Sequence, residues 1–140
     1  MGIQLKYIKL IVSIFILSGC KAQQSLLQEK KEWIWSYKSM AIYSCMCELT
    51  DNGIDVELTR HNDISFMAEP EILSPFYAKE ASTYGKEYAR KITPVFSDDS
   101  EFAGRKAIFT SCLSLYDNKS FNMLILKKYK EYKNPNVIKK

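Results

Sequence analysis

The first twenty residues constrain the fold most, because they decide the compartment in which the rest of the chain folds. Lys6 and Lys9 give a positively charged start, and residues 10–17 form a short apolar stretch that is followed by Ser18 and Gly19. This stretch is too short to cross a hydrocarbon core of about 30 Å as a helix. Its flanks are typical of a secretory signal. The sequence therefore predicts export to a compartment in which cysteines oxidise.

The segment Leu17-Ser18-Gly19-Cys20 resembles the lipobox of bacterial lipoproteins. The resemblance implies cleavage before Cys20 and acylation of its thiol and its new amine, since two or more acyl chains anchor a protein stably. Lys21 stands where an acidic residue retains lipoproteins at the inner membrane of enteric bacteria. We therefore expect a periplasm-facing lipoprotein, with the outer membrane favoured over the inner membrane. The alternative is an ordinary secretory signal in which the cysteine is coincidental.

The charge of the exported part is close to balanced. The chain has 20 basic and 16 acidic residues and a net charge of +4, of which Lys6 and Lys9 carry +2. No basic stripe in a recognisable module appears, so we expect no nucleic-acid partner. The length is sufficient for a single domain. The predicted regions are a signal peptide over 1–19, a lipid-anchored tether over 20–31, a helical domain over 32–133 and a basic tail over 134–140.

Apolar residues recur at spacings of three and four, which predicts an all-α fold, a compact single-domain bundle of four to six helices. The first helix begins near residue 32 and ends at a turn in which Gly53 is able to take positive φ. Its stripe contains Ile34, Tyr37, Ala41, Cys45 and Leu49, and it is widened by Trp33, Met40, Tyr43 and Cys47. A short polar helix follows within residues 54–66, with Val56, Leu58, Ile64 and Phe66 as its apolar anchors.

Three more helices are expected in the C-terminal half. A long helix covers about 71–95 and is begun or interrupted by Pro75. The next covers about 103–116, and the last is capped by Ser120. The long helix is expected to bury a stripe of Phe76, Ala81, Tyr84, Tyr88 and Ile92.

Three cysteines remain besides Cys20. Cys45 and Cys47 point about 200° apart on a helix, so they can neither bond to each other nor chelate one metal ion while the helix is intact. Either could bond Cys112 on a neighbouring helix. Cys45 shares the stripe of Tyr37 and Ala41, which favours a Cys45–Cys112 disulfide and leaves Cys47 as a spare thiol.

The sequence favours a protein without enzymatic activity. His61 is the single histidine, and a nucleophilic Cys–His pair would need a cysteine within hydrogen-bond reach of it. The cysteines instead lie in amphipathic helical patterns, where cysteine is usually a small buried hydrophobe or half of a disulfide. We find no glycine-rich phosphate loop and no distinctive carboxylate pair. The expectation is no catalytic residue, no metal and no cofactor.

Two clusters of mostly acidic residues are candidates for a protein-docking surface, because loops on a rigid scaffold often carry binding residues. The alternative is that both are ordinary solvated loops. The first cluster contains Asp51, Asn52, Asp55 and Glu57, and the second contains Asp98, Asp99, Ser100 and Glu101.

The order of several segments is also informative. A tryptophan-bearing helix contains Ala-Ile-Tyr-Ser-Cys-Met at 41–46, and a helix rich in tyrosine and alanine contains 76–78 and 84–88. Cys-Leu-Ser-Leu-Tyr-Asp-Asn-Lys-Ser-Phe follows at 112–121, and Lys-Lys-Tyr at 127–129. This arrangement, over most of 33–130, resembles the small all-helical periplasmic immunity proteins that protect Gram-negative bacteria from type VI secretion amidase effectors.

The resemblance implies an inhibitor that occludes the active site of a papain-like cysteine amidase acting on peptidoglycan. The partner would be the cognate secreted amidase effector, and the inhibitor would be a homodimer. A Cys45–Cys112 disulfide agrees with the paired cysteines of that family. The chain departs from the family in the extra thiol of Cys47 and in a glycine-poor loop before Cys112. The alternative function is a non-enzymatic envelope lipoprotein that acts as a scaffold or chaperone.

Overall fold

The computed structural model describes residues 2–66, 71–93 and 105–134, with side chains from residue 24 onward. The residues in these ranges form five helices and no strand, so the predicted all-α fold and its helix count are confirmed. The helices are α1 (Gly2–Leu49), α2 (Gly53–Arg60), α3 (Pro75–Ala89), α4 (Ile108–Leu113) and α5 (Lys119–Lys133).

The chain divides into two compact units. The first, Met1–Glu32, contains the N-terminal part of α1, and the second, Trp33–Lys140, contains the remainder of α1 and the four other helices. The helix runs without interruption through the predicted signal peptide and tether. Near the end of the first unit, Gln28 Nε2 donates a hydrogen bond of 2.7 Å to Glu32 Oε1, one turn away. Within the part of the chain that the structure describes, no helix is long and apolar enough to span a membrane.

In the second unit, α1 has buried side chains on every side, although Trp35 is half exposed. At about 100° per residue, its buried positions between 33 and 47 cover the whole circumference of the helix. The predicted single stripe is therefore too narrow, and the other helices surround α1. The buried residues are Trp33, Ser36, Tyr37, Ser39, Ala41, Ile42, Ser44, Cys45, Met46 and Cys47.

The helix α3 packs on α1 through small side chains. Its buried residues recur every fourth position, as Tyr77, Ala81, Gly85 and Ala89. A Cβ atom added to Gly85 would lie 2.0 Å from the backbone oxygen of Ala41. The two backbones therefore meet at Gly85, where no other residue fits without displacing one of them.

This close approach explains why the predicted stripe of α3 is wrong in part. Phe76 is 68% exposed. Tyr84, Tyr88 and Ile92 are only partly buried and flank the contact. Space at the centre of the interface admits alanine and glycine alone, so the large side chains lie along its edges. The hydroxyl of Ser44 adds a hydrogen bond of 2.9 Å to the hydroxyl of Ser82 across the same interface.

A disulfide joins α1 to α4. Cys45 and Cys112 are bonded, their Cα atoms are 5.8 Å apart, and 67 positions separate them in sequence. The favoured pairing is confirmed, and Cys47 is a free, buried cysteine. The helix α4 has six residues, too few to be stable alone in water. The disulfide therefore fixes an element that has little intrinsic helical stability.

Aromatic rings connect α1, α3 and α5. The ring of Trp33 lies 5.4 Å from those of Tyr37, Tyr77 and Tyr129 and 5.7 Å from that of Tyr132, between ring centroids. Such pairs add about 0.5–1.5 kcal/mol each beyond the burial of their area. The cluster holds the start of the second unit together.

Several helix boundaries differ from the predicted ones, and α1 begins at Gly2 rather than near residue 32. The helix α3 ends at Ala89, and α4 covers only Ile108–Leu113. The N-cap of α5 is Asn118 rather than Ser120, since Asn118 Oδ1 accepts a hydrogen bond of 2.9 Å from the backbone N–H of Phe121. The extended backbone of Asn118 lets its side chain fold back onto the first turn, and Ser120 is already inside the helix.

We expect Gly85→Ala to lower the free energy of unfolding by about 3 kcal/mol, because the new methyl group meets the backbone of α1 rather than a flexible side chain. Urea denaturation followed by circular dichroism measures the effect. Gly53→Ala is the matched control: its added Cβ meets the Thr50 Cβ at an ordinary 3.7 Å, and alanine favours helix by up to about 1 kcal/mol. Equal stability of the two variants would contradict the close α1–α3 contact.

Reduction of the disulfide should lower the free energy of unfolding by about 4 kcal/mol, because the bond closes a long loop in the unfolded chain. Urea denaturation with and without dithiothreitol measures this difference. In the control variant Cys47→Ala, which retains the Cys45–Cys112 bond, the same sensitivity to the reductant is expected. A Cys47→Ala protein that no longer responds to reduction would show that the bond uses Cys47.

Candidate functional site

The first predicted docking cluster lies on and around α2. Asp51, Asn52, Asp55 and Glu57 are all exposed, and no residue of α2 is buried. The second cluster, Asp98, Asp99, Ser100 and Glu101, lies outside the described residues. We name the exposed surface formed by Asp51, Asp55, Val56, Glu57, Asp63 and Ile64 the acidic α2 surface.

The turn between α1 and α2 is set by two residues with left-handed backbone. Asp51 and Asn52 have φ of 49° and 64°, a conformation that aspartate and asparagine tolerate better than other side chains do. Gly53 does not have the positive φ expected from its flexibility and is instead the first residue of α2. The Thr50 hydroxyl donates to the backbone oxygen of Met46 and accepts from the N–H of Ile54. Thr50 thus ends α1 and caps α2.

Tyr43 attaches α2 to α1. Its hydroxyl donates a short hydrogen bond to Asp55 Oδ1, and its ring stacks on Phe66 at 6.0 Å between centroids. Burial, followed by the bond to Asp55, raises the pKa of Tyr43 well above its usual value of 10.0. The hydroxyl therefore remains a donor at neutral pH, and α2 has a fixed position on the domain.

Two aliphatic side chains project from this surface into solvent. Val56 is 62% exposed and Ile64 is 70% exposed. The prediction that both anchor α2 is therefore wrong. Leu58 and Phe66 are partly buried and carry out that role. A segment with few apolar residues and no clear stripe gives no signal for which of them face inward. The structure therefore adds Val56 and Ile64 to the candidate site.

The charge of residues 51–63 is negative. Asp51, Asp55, Glu57 and Asp63 outnumber Arg60, the single cation, which leaves −3 with His61 neutral. Arg60 pairs with Glu57 on the exposed side. The N–H and hydroxyl of Ser65 donate to Asp63 and lower the pKa of its carboxyl. Exposed carboxylates beside aliphatic side chains suit a protein partner that offers cations around an apolar recess.

A small cavity of about 170 Å³ lies beside α2. Typical ligand pockets have about 300–1,000 Å³, so this cavity has room for one side chain of a partner rather than for a substrate. Its lining residues are Tyr43, Asp55, Leu58, Thr59, Asn62, Asp63, Ile64 and Phe66.

His61 and Cys47, the residues considered for catalysis, lie in different environments, one exposed and one buried. The side chain of His61 is 70% exposed, and its Nε2 lies 4.0 Å from the Glu57 carboxylate. Cys47 is 6% exposed, and burial raises the pKa of its thiol. Among the residues that the structure describes, no three His, Cys, Asp or Glu side chains are grouped as a metal site would need.

A larger groove of about 460 Å³ lies between α3 and α5. Phe76, Tyr84 and Leu124 form apolar walls, and Glu80 forms an ion pair with Lys128. This bond raises the pKa of Lys128, so its ammonium group stays charged. The second oxygen of Glu80 is buried and has no hydrogen-bond partner within the described part of the chain.

Comparison with known proteins gives no match: no protein-family model fits the chain, and no curated protein and no solved structure is significantly similar to it. The chemistry of the exposed surfaces is therefore the basis for the functional proposal.

Tyr43→Phe should release α2 while the rest of the domain stays folded. The variant keeps the ring stacked on Phe66 but loses the hydrogen bond to Asp55, worth about 1 kcal/mol. Backbone amides of α2 should then exchange hydrogen faster by about fivefold, with little change in α3 and α5. Tyr84→Phe is the control, because Tyr84 also stacks on a phenylalanine and its hydroxyl has no described hydrogen bond. Unchanged exchange in α2 would show that Tyr43 does not hold it.

Proposed function

We propose that the chain is an immunity protein that binds a secreted peptidoglycan amidase and occludes its active site with the acidic α2 surface. The observation that carries the proposal is a helix without buried residues that presents Val56 among carboxylates and is followed by the exposed Ile64. The resemblance of residues 33–130 to amidase immunity proteins supplies the class of partner.

The first support is the rigidity of the surface. Tyr43 and Thr50 fix α2 to the end of α1, and the disulfide at Cys45 fixes the same part of α1 to α4. A surface that is already ordered loses little conformational entropy on binding, so more of its contact energy appears as affinity. This suits an inhibitor that must engage its target before the cell wall is cut.

The second support is the pattern of apolar and charged groups. Burial of exposed aliphatic side chains such as Val56 and Ile64 against a partner is favourable, because it removes their apolar surface from water. Well-packed central residues carry most of the binding energy of protein interfaces. The surrounding carboxylates attract a basic rim and speed association more than they deepen affinity. A cysteine amidase whose cleft is bordered by lysine or arginine would match both features.

The third support is the compartment. The predicted leader and Cys20 anchor place the domain in the periplasm, which holds the peptidoglycan substrate of such a toxin. An anchored inhibitor is also held at a raised local concentration near that substrate.

The test is co-purification of the chain with candidate type VI amidases, followed by a peptidoglycan-cleavage assay of any complex. We expect a tight complex with silenced cleavage. Val56→Asp should weaken it by about thirtyfold, the equivalent of about 2 kcal/mol. Asp51→Lys together with Glu57→Lys should slow association by about tenfold at low salt.

The matched control is Glu71→Lys together with Glu87→Lys, which changes the same charge at exposed positions outside the acidic α2 surface. This control should bind as the unchanged chain does. A tight complex that tolerates the α2 variants would move the contact to another surface. Failure of the folded, disulfide-bonded chain to bind any amidase would favour the alternative of an envelope scaffold or chaperone.

A further inference from the structure

The small cavity beside α2 lies at the C-terminal end of that helix. Leu58 and Thr59 of its last turn line the cavity, together with Asn62, Asp63 and Ile64 of the segment that follows. Cations are stabilised at the C-terminal end of a helix, because the last carbonyl groups carry partial negative charge. The position of the cavity therefore favours a positively charged occupant.

The backbone explains why space is present there. Asn62 has a left-handed φ of 53°. Its N–H donates to the Thr59 oxygen at 3.1 Å, and the N–H of Asp63 donates to the Leu58 oxygen at 2.9 Å. This is the Schellman motif, in which an apolar residue at the position of Asp63 frequently packs on the residue at the position of Leu58. Aspartate does not make that apolar contact, and a cavity lies beside both side chains.

Two carboxylates line the cavity, and each is held by one of its oxygens. Asp55 Oδ1 accepts the hydrogen bond from the Tyr43 hydroxyl. Asp63 Oδ1 accepts from the N–H of Ser65 at 2.8 Å and also from its hydroxyl. The second oxygen of each carboxylate accepts no hydrogen bond from the described residues. An occupant with several N–H groups can therefore donate to both.

The negative charge of the cavity has no cation beside it. Among its described lining residues, none is basic. Arg60 pairs with Glu57 on the exposed side. The hydrogen bonds from Ser65, more than the neighbouring His61, lower the pKa of Asp63, which is therefore ionised at neutral pH. A cation that enters the cavity meets carboxylates that are already ordered.

The other walls of the cavity are apolar. Leu58 and Ile64 supply aliphatic groups, and Tyr43 and Phe66 supply two stacked rings. The volume is about 170 Å³, and an apolar cavity of about 150 Å³ is known to hold a benzene molecule. One planar group of that size, carried on an apolar stem, fits these dimensions.

Arginine combines these properties. Its methylene stem packs on apolar surface, and its planar guanidinium packs on aromatic rings and donates hydrogen bonds in a fixed geometry. Lysine has a similar stem, but its ammonium group is a compact charge that is more strongly hydrated. Removing it from water therefore costs more free energy.

We propose that the cavity beside α2 binds an arginine side chain of the protein partner. The guanidinium donates to the second oxygens of Asp55 and Asp63, and the methylene stem lies against Leu58 and Ile64. Free arginine is a poorer occupant, because its own carboxylate would lie against the acidic α2 surface. An arginine within a polypeptide has no such carboxylate.

The inference rests on the proposed function only for the identity of the partner, which is the amidase. It divides the acidic α2 surface into two parts that act in opposite directions. Val56 projects toward the partner, whereas the cavity receives a side chain from it. Contacts in both directions fix the register of the two proteins.

The first experiment needs no amidase. N-acetylarginine methylamide is added to the isotope-labelled full chain, and nuclear magnetic resonance follows the backbone amides. The matched probe is N-acetylcitrulline methylamide, which has nearly the same shape and no charge. We expect the arginine probe to shift the amides of residues 58–66 and to bind at least about tenfold more tightly, because charge-assisted hydrogen bonds are about twice as strong as neutral ones. The corresponding lysine probe should bind less tightly than the arginine probe.

The second experiment uses a variant of the cavity. Asp63→Asn removes the charge and keeps an oxygen that accepts from Ser65. It should weaken binding of the arginine probe by about tenfold and the amidase complex by about thirtyfold, the equivalent of about 2 kcal/mol. Asp51→Asn is the matched control, since Asp51 is exposed on the same surface and does not line the cavity. The control should bind as the unchanged chain does.

Equal binding of the arginine and citrulline probes would overturn the inference, as would an equal loss of affinity in Asp63→Asn and Asp51→Asn. A silenced amidase complex that tolerates Asp63→Asn would reject the arginine site and leave the immunity function in place. Binding of the arginine probe at residues 58–66 without any amidase complex would support the arginine site and reject the immunity function.

Discussion

Four turns of α1 hold the other helices of the second unit, each through a different interaction. Trp33 and Tyr37 pack their rings against α5, and Ala41 meets Gly85 of α3 at backbone distance. Tyr43 binds α2 through Asp55, and Cys45 is bonded to α4. The fold therefore depends on the burial of most of this one helix, and α3 and α5 also contact each other through the stack of Tyr84 on Phe121 and the Glu80–Lys128 ion pair.

The type of interaction that attaches each helix to α1 follows from the length of that helix. The helices α3 and α5 have 15 residues each and can bury a long apolar side, so packing is the main interaction that holds them. The helices α2 and α4 have eight and six residues and cannot bury enough area to stay attached. A covalent bond holds α4, and hydrogen bonds with one ring stack hold α2. In a small domain, directional bonds substitute for core area where elements are short.

Part of this arrangement was predictable from the sequence. Helical spacing of apolar residues gave the all-α class, and the angle between Cys45 and Cys47 limited the disulfide to two pairings. The contact at Gly85 was not predicted, because hydrophobic periodicity is read from large apolar residues. The interface between α1 and α3 is instead formed by small residues at its centre. Asn118 rather than Ser120 caps α5, and only backbone geometry distinguishes two capping residues that lie two positions apart. Val56 and Ile64 were wrongly predicted to anchor α2, because the segment has no stripe that distinguishes inward from outward residues. The contact of Lys38 with Tyr116 joins residues that are distant in sequence, so no local pattern indicates it.

The absence of buried residues in α2 has a consequence for how such a protein changes over time. Substitutions at exposed positions usually change the free energy of unfolding by less than about 0.5 kcal/mol. Most positions of α2 do not contribute to the fold beyond the hydrogen bond at Asp55. The acidic α2 surface can therefore accumulate substitutions without endangering the fold, while the positions of α1 cannot. Under the proposed immunity function, specificity and stability would be encoded in separate stretches of the chain, so a lineage could acquire a new partner by changing a single short helix.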